Sequence, residues 1–312
     1  MLSRYLGSVV LRAFADDDVT EIYLNPKDGL VRLDTRSRGK IESGAWLDAS
    51  RVEMFLNCVA SSLGATLGSD SPRLEAELPL EVFRGSRLQG FVPPVTAAPA
   101  FNIRKPPSLI YSLEDYVAAG VVTPEQRREL QHAVFAHRNI LIAGGTNSGK
   151  TTFANALLRE ISDIFPRERI VILEDTAELQ CSANDHMALR TSAAVTLGDL
   201  VRSTMRTSPN RIVVGEVRGS EALELLDVWA TGHPGGVATV HASSAEGALH
   251  RLERLARRAN VPSQRELVAE TIHVVAVIEA SGGRRRVTEL ARVDGLDSDN
   301  RFKFSYLTTQ GD

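Results

Sequence analysis

The chain has 312 residues, 43% of them hydrophobic and 24% charged, proportions that exclude a wholly disordered chain, a coiled-coil rod and a collagen-like fibre. Its 36 lysines and arginines against 39 aspartates and glutamates leave a net charge of −3, so no bulk positive field exists to hold DNA or an acidic membrane. The two cysteines, Cys58 and Cys181, make no secreted disulfide framework, no apolar run approaches the roughly 18 residues of a membrane span, and the N-terminal stretch turns acidic at Asp16 instead of reaching a cleavage site. A cytoplasmic protein of two domains is the expectation.

Residues 2–15 carry Leu, Val and Ala at helical spacing and predict a short amphipathic helix. Val19 to Leu24, the turn Asn25–Gly29 and Leu30 to Leu33 read as strand, turn, strand. Ser50 with Glu53 reads as a capping box, and Val52, Phe55, Leu56, Val59 and Leu63 trace one helical face behind it. Residues 72–104 alternate in short segments broken by Pro79, Gly85, Gly90 and Pro93–Pro94, the pattern of an antiparallel sheet. Residues 1–105 are therefore expected to form a small α+β domain. Arg104 to Pro107 marks a boundary, because a proline pair stiffens the chain without joining sheet or helix; the linker is assigned to 106–112 and a second domain to 113–312.

Thr123-Pro124-Glu125-Gln126 opens that domain's first strong helix, with a capping Thr, Pro at the first helical position and Gln at the third. Asn139 to Ala143 is a near-continuous apolar run, as a buried parallel strand requires. Ile170 to Leu173, Ile212 to Val214, Val237 to Val240 and Val274 to Ile278 repeat the pattern. Helical segments lie between them near 151–163, 197–207, 220–230, 245–258 and 264–271, the last capped by Ser263 with Glu266. Strands alternating with helices predict an α/β domain with a mostly parallel sheet. Val287 to Val293 and Phe302 to Leu307 suggest a terminal hairpin, and Arg284-Arg285-Arg286 beside Gly282-Gly283 a solvated turn.

Gly144-Gly145-Thr146-Asn147-Ser148-Gly149-Lys150-Thr151 fits G-x-x-x-x-G-K-[ST], a phosphate-binding loop, and it stands between a buried strand and a helix as that motif requires. Glycines let the backbone wrap a phosphate with its N–H groups, the helix adds its positive end, Lys150 reaches the β and γ phosphates, and the Thr151 hydroxyl suits Mg²⁺. Acids to organise the metal or a water stand at two strand ends, Glu174-Asp175 and Glu216, on the crevice side of a parallel sheet. Glu178 lies one turn beyond Glu174 if the segment is helical. The sequence leaves open which acid holds the metal shell and which orients water. His233 lies in a glycine-rich loop, and His241 ends an apolar strand at the crevice edge. Arg202 and Arg206, four apart, share a helix face; Arg218 follows the second acidic strand end, and Arg87 and Arg104 belong to the first domain.

With these motifs in order, the chain resembles the VirB11-like superfamily of type II and type IV secretion ATPases, and within it the conjugal-transfer branch. The resemblance rests on GGTNSGKTT (144–152), the aspartate-box segment ILEDTAELQC (172–181), the atypical Walker B segment RIVVGEVRGSEAL (211–223), the histidine-box segment TGHPGGVATVHA (231–242) and the N-terminal EIYLNPKDGLV (21–31). It implies a RecA-like P-loop NTPase motor domain behind an α+β nucleotide-covering domain, and Mg²⁺-dependent ATP hydrolysis. It assigns catalysis to Lys150, Glu174, Glu216, His241, Arg206 and Arg218. Nucleotide binding falls to Gly144, Gly145, Thr146, Asn147, Ser148, Gly149, Lys150, Thr151 and Thr152, with Arg87 and Arg104 closing over it; the metal shell falls to Thr151, Glu216 and Asp175. It further implies a hexameric ring, inner-membrane partners in a conjugation or type IV secretion apparatus, and a peripheral position at that membrane. A type II secretion or pilus motor and a DNA-stimulated helicase are the competing readings. Two departures stand out: Asn147 replaces the family's usual glycine, and Asn210 its usual aspartate, with loss of a salt bridge expected at the latter.

Overall fold

The computed structural model describes residues 2–106, 110–192 and 194–309. The chain divides into two compact units, Met1–Ser108 and Leu109–Asp312; residues 107–109, in the expected linker, lie outside the described residues.

In the first unit, helix α1 (Ser3–Ala15) precedes strands β1 (Val19–Leu24), β2 (Leu30–Thr35) and β3 (Gly39–Trp46), helix α2 (Ala49–Ser62), strand β4 (Arg73–Glu77), the single turn α3 (Leu80–Phe83), and strands β5 (Arg87–Phe91) and β6 (Ala100–Arg104). The strands form one antiparallel sheet in the order β3-β2-β1-β6-β5-β4. Its core joins Leu6, Val10 and Phe14 of α1, Val52, Phe55, Leu56 and Val59 of α2 and the inward residues of the sheet. The helix expected behind Ser50 starts earlier: Asp48 is the N-cap, its side chain accepting from the Arg51 amide at 2.8 Å. Leu63 falls past the helix end and is exposed. Strand β3 carries no sequence signal because only alternate residues are even half-buried, as on a sheet edge. Lys105, just after β6, turns inward and its Nζ donates to the carbonyls of Ala13, at 3.0 Å, and Asp16, at the end of α1.

The second unit continues with α4 (Leu113–Ala118), α5 (Pro124–Phe135), β7 (Ile140–Ala143), α6 (Lys150–Ile164), β8 (Ile170–Glu174), β9 (His186–Arg190), α7 (Leu197–Thr204), β10 (Arg211–Val214), α8 (Glu221–Ala230), β11 (Val237–Val240), α9 (Ala245–Ala256), α10 (Arg265–Thr271), β12 (Val274–Ser281), β13 (Arg284–Leu296) and β14 (Phe302–Thr309). Its sheet runs β14-β13-β12-β7-β11-β10-β8-β9. The six strands from β12 to β9 are parallel; β13 and β14 add an antiparallel edge. Strand residues alternate between two cores: Leu141, Val171, Ile212 and Val240 pack with α7–α10, while Ile140, Ile172, Val213 and Val274 pack with α4–α6. Burial on both faces is why these strands read as unbroken apolar runs.

The Thr123 capping box forms as its residues predict, with reciprocal bonds to Gln126. Three local expectations change. Ser263 does not cap α10; its hydroxyl donates to Glu253 at 2.5 Å, and the N-cap, Gln264, makes no side-chain cap bond. Helix α7 stops at Thr204, so Arg206 lies in the following turn and does not share a helical face with Arg202, which pairs instead with Asp199 and Glu224. Arg284, Arg285 and Arg286 open β13 rather than forming a turn.

Candidate functional site

The parallel register brings the motif residues to one edge. In β11 and β7, Val237 faces Ile140 and Val240 faces Ala143; the next residues are His241 and Gly144. Strand β10 pairs Val214 with Ala238, and beyond it the Thr239 hydroxyl donates to the Gly215 carbonyl at 2.7 Å while the Val217 amide donates to Thr239 at 2.9 Å. Glu216 is thereby held beside His241.

Gly144 is sterically fixed, since a Cβ there would stand 2.4 Å from both the Ile278 carbonyl and Ser148 Oγ. Gly145 faces open space. Asn147 adopts φ +59°, the left-handed region that asparagine tolerates better than most residues, which accounts for asparagine at a glycine-prone position. Gly149, at φ +99°, caps α6. Thr146 is exposed and Thr152 half-buried at the mouth of the helix.

Lys150 is buried, and its Nζ donates to the carbonyls of Gly144 at 3.0 Å and Gly145 at 2.8 Å and lies 3.3 Å from His241 Nδ1. An ammonium only donates, so Nδ1 is the acceptor and a neutral His241 carries its proton on Nε2. That Nε2 lies 2.9 Å from Glu216 Oε1, yet the contact does not have hydrogen-bond alignment, and Oε1 is buried with no hydrogen-bond partner among the described residues. The other oxygen, Oε2, accepts from Arg218 Nη2 at 2.7 Å. Arg218 reaches on to Asp175, 3.7 Å away, and Asp175 also accepts from the Thr191 hydroxyl at 3.1 Å. Burial raises the Glu216 pKa, but the Arg218 bond, with the charges of Arg218, His241 and Lys150, outweighs it and holds the carboxyl below its ordinary value.

Glu174 behaves differently. It is buried, and its Oε1 accepts from the amides of Glu178 at 2.9 Å and Leu179 at 2.8 Å. Burial raises its pKa despite those bonds. Gly215 leaves room for it: a Cβ there would stand 3.0 Å from Glu174 Cγ. The segment after Glu174 is not helical but folds back, and it carries Glu178 to the phosphate loop, where Glu178 Oε2 accepts from the Thr151 hydroxyl at 3.2 Å. The sequence places Glu178 one turn beyond Glu174 only if the segment is helical and gives it no role in the site; the non-helical path is what brings it to Thr151.

Other expected residues stand apart. Arg206 is exposed in its turn. His233 lies in the loop before β11, at the end of the strand opposite His241. Asn210 forms no salt bridge; its Oδ1 accepts from the Arg169 amide at 2.8 Å. In the first unit, Arg87 and Arg104 are exposed and directly opposite each other on β5 and β6, in a cross-sheet row with Glu77 on β4 and Glu21 on β1. Among the described residues no three His, Cys, Asp or Glu side chains gather as a metal site, and no helix is long and apolar enough to cross a membrane.

Against known proteins, the family model described as "Type II/IV secretion system protein" matches residues 83–287. The chain belongs to the type II/IV secretion ATPase family. This secretion ATPase is similar to the "Probable conjugal transfer protein TrbB" of Sinorhizobium fredii, 42% identical over 94% of this chain and 89% of that protein. It is likewise similar to the "Conjugal transfer protein TrbB" of Rhizobium radiobacter, 42% identical over 95% and 90% of the two chains. The structure of the Legionella pneumophila ATPase DotB is similar in fold, with a TM-score of 0.65 at 18% identity over 94% of this chain and 81% of that one. The fold is that of RecA-like P-loop NTPases with an N-terminal α+β region, and the function is that of an ATP-driven motor for type IV or type II secretion or conjugative transfer.

Proposed function

We propose that this secretion ATPase hydrolyses Mg²⁺-bound ATP at the crevice built from the 144–152 loop, Glu216 and His241, and that it serves conjugative transfer. The observation that carries the reading is the continuous line Lys150–His241–Glu216–Arg218–Asp175 at the C-terminal ends of parallel strands. Along it, two buried oxygens, Ser148 Oγ and Glu216 Oε1, have no hydrogen-bond partner among the described residues. Beside a phosphate-binding loop, a bound nucleotide supplies the natural partner for both. Both relatives cited above are conjugal transfer proteins by name.

The residues present fit a magnesium ion of the kind that rests on phosphates and water with one or two protein groups. Thr151, with Glu178 on its hydroxyl, and Glu216 are the first groups to hold it; Asp175, already bound to Thr191 and beside Arg218, acts from farther out. When bound, the ion neutralises charge on the β and γ phosphates. Gly144 to Gly149 and Thr152 wrap the phosphates with backbone N–H groups. Lys150 leaves the two loop carbonyls for the phosphate oxygens. The carboxylate of Glu216, held ionised by Arg218, orients the water whose oxygen bonds the γ phosphorus as the bridging bond to the β phosphate breaks, giving ADP and phosphate. His241, released by Lys150, donates from a ring nitrogen to the γ-phosphoryl oxygens. Glu174 acts through the backbone, holding the loop that carries Glu178.

Arg218 supplies further positive charge to the phosphates, and Arg206, exposed in the turn before β10, does so only from a neighbouring subunit. Arg87 and Arg104 cover the nucleotide from the N-terminal unit; two like charges directly opposite on a sheet oppose folding, and an anion between them removes that penalty. Residues 1–105 act as the covering domain, 106–112 as the linker and 113–312 as the motor, assembled as a hexameric ring that works in the cytoplasm against inner-membrane components of the transfer apparatus. ATP hydrolysis per protomer, measured across a wide range of protein concentration with Lys150→Ala as the blank, tests this. The proposal predicts a rate that rises as rings assemble and vanishes in the variant, a loss of about 10²–10³-fold or more. Equal rates in the two proteins contradict it.

A further inference from the structure

The far end of the same sheet holds a cluster that the reaction does not use. Asn139, the residue before β7, is buried. Its Oδ1 accepts from the amides of Gly235 at 2.7 Å and Gly236 at 3.0 Å, where the chain turns into β11, and its Nδ2 donates to the Thr271 carbonyl at 2.9 Å, just before β12. One carboxamide thus ties together the starts of three adjacent parallel strands. The remaining backbone contacts follow the same seam: Ile140 N donates to the Gly236 carbonyl at 2.9 Å and His273 N to the Asn139 carbonyl at 3.1 Å.

Arg211 closes the loop from the other side. It is fully buried, with Nη1 donating to the Gly235 carbonyl at 3.1 Å, Nη2 to the Val134 carbonyl at 3.2 Å and Nε to Glu168 at 2.5 Å. Gly235 sits at φ +86°, and a Cβ there would stand 2.6 Å from Arg211 Nη1. The Gly235–Gly236 pair is therefore gripped by its amides and by a carbonyl at once.

The other ends of the three strands are the phosphate crevice. Strand β11 leads to His241, β7 to Gly144, and β12 to Ile278, whose carbonyl abuts Gly144. Strands β7 and β11 are four residues long and β12 pairs with β7 over four residues, and a parallel strand advances about 3.3 Å per residue. A slip of one residue at Gly235–Gly236 would carry His241 about 3.3 Å along the sheet and turn its side chain to the other face. We propose that Asn139 is a positioning residue for ATP hydrolysis: by fixing the register of β11 and β12 on β7 it sets the reach of His241 to Lys150 and Glu216. Only a short carboxamide offers one oxygen to two amides and an N–H to a carbonyl from that position. The inference rests on the reading of His241 as a group that contacts the γ phosphate.

A double-mutant cycle tests it, with kcat and the KM for ATP measured for wild type, Asn139→Ala, His241→Ala and the double variant, and folding checked by circular dichroism. Asn139→Ala is expected to lower kcat by up to about 10²-fold, as a displaced reacting group does, with KM unchanged. The double variant is expected to be no slower than His241→Ala alone, because the register no longer has a histidine to deliver. Independent, multiplying losses in the double variant would overturn the inference while leaving His241 in place. No effect of His241→Ala on kcat would remove the reading beneath it as well. Should Asn139→Ala fail to fold, Gly235→Ala, which opens the same loop from the Arg211 side, replaces it in the cycle under the same criteria.

Discussion

The two ends of the motor sheet solve the problem of buried charge in opposite ways. At the end where the strands begin, Arg211 is fully enclosed and makes hydrogen bonds from Nε and both terminal nitrogens: to Glu168, to Gly235 and to Val134, with its guanidinium carbon 4.8 Å from the centre of the Phe165 ring. At the end where they finish, Glu216 has one oxygen bound to Arg218 and the other buried without a hydrogen-bond partner among the described residues. That oxygen has His241 Nε2 2.9 Å away but no aligned hydrogen bond, and a buried oxygen left without one costs about 1–3 kcal/mol. The full pairing of Arg211 suits a clamp on the Gly235 loop, and the open oxygen of Glu216 suits a site that takes a ligand, although Thr271 Oγ1 is also buried without a partner among the described residues at the clamp end.

Arg211→Met is the harshest challenge to that contrast. It leaves the half-buried Glu168 with the His137 ring, 2.7 Å away, as its remaining side-chain hydrogen-bond partner among the described residues; breaking a fully buried ion pair costs about 3–5 kcal/mol, which is the upper bound here. Denaturant unfolding should show the loss; a midpoint equal to wild type would mean the clamp is not structural. A glycine pair gives a matched, smaller contrast. Gly235→Ala forces a Cβ against Arg211 at positive φ and should cost about 1–3 kcal/mol. Gly145→Ala meets nothing within 4 Å and should change stability by less than about 0.5 kcal/mol, yet weaken ATP binding, because the open space is where the phosphates go. Equal stability losses at the two glycines would erase the contrast.

A pH-dependent test lies in the N-terminal unit and is a slope. Lys105, like Lys150, is a buried ammonium that donates to main-chain carbonyls, but no carboxylate or histidine makes a hydrogen bond or ion pair with it among the described residues. Burial, then the charge of Arg84, push its pKa down to about 8 from the ordinary 10.5. Between those two values the unfolded chain binds the extra proton, so stability from this group rises as pH rises through the window. Unfolding of wild type and Lys105→Met at several pH values from 8 upward should show a shallow rise in the wild type relative to the variant. Parallel curves would remove the assignment.

What could be read from the sequence follows the same physics. The phosphate loop and the buried strands β7, β8, β10 and β11 were legible, because burial on both faces writes an apolar run and phosphate binding demands glycine, lysine and threonine at fixed spacing. The edge strands β3 and β9 were not, since their exposed residues carry no apolar pattern. The cap of α2 was displaced because Asp48 and Ser50 are both good capping residues and only backbone angles choose between them. Glu178 was visible as an acid but its place against Thr151 was not, because the path after Glu174 is set by a buried carboxylate gripping two amides, a contact with no sequence period. Asn139 and Arg211 escaped for a similar reason: they meet Gly235 across 96 and 24 residues of chain, and nothing local to either announces the meeting.

The central claim is that Glu216, with its unpaired oxygen, acts on the water that attacks ATP. Glu216→Gln keeps the size and removes the charge, so single-turnover hydrolysis of Mg²⁺-ATP, with nucleotide binding measured on the same preparation, tests it most directly. The account predicts that ATP still binds while hydrolysis falls by about 10²–10⁴-fold. Hydrolysis at the wild-type rate with ATP bound would contradict it.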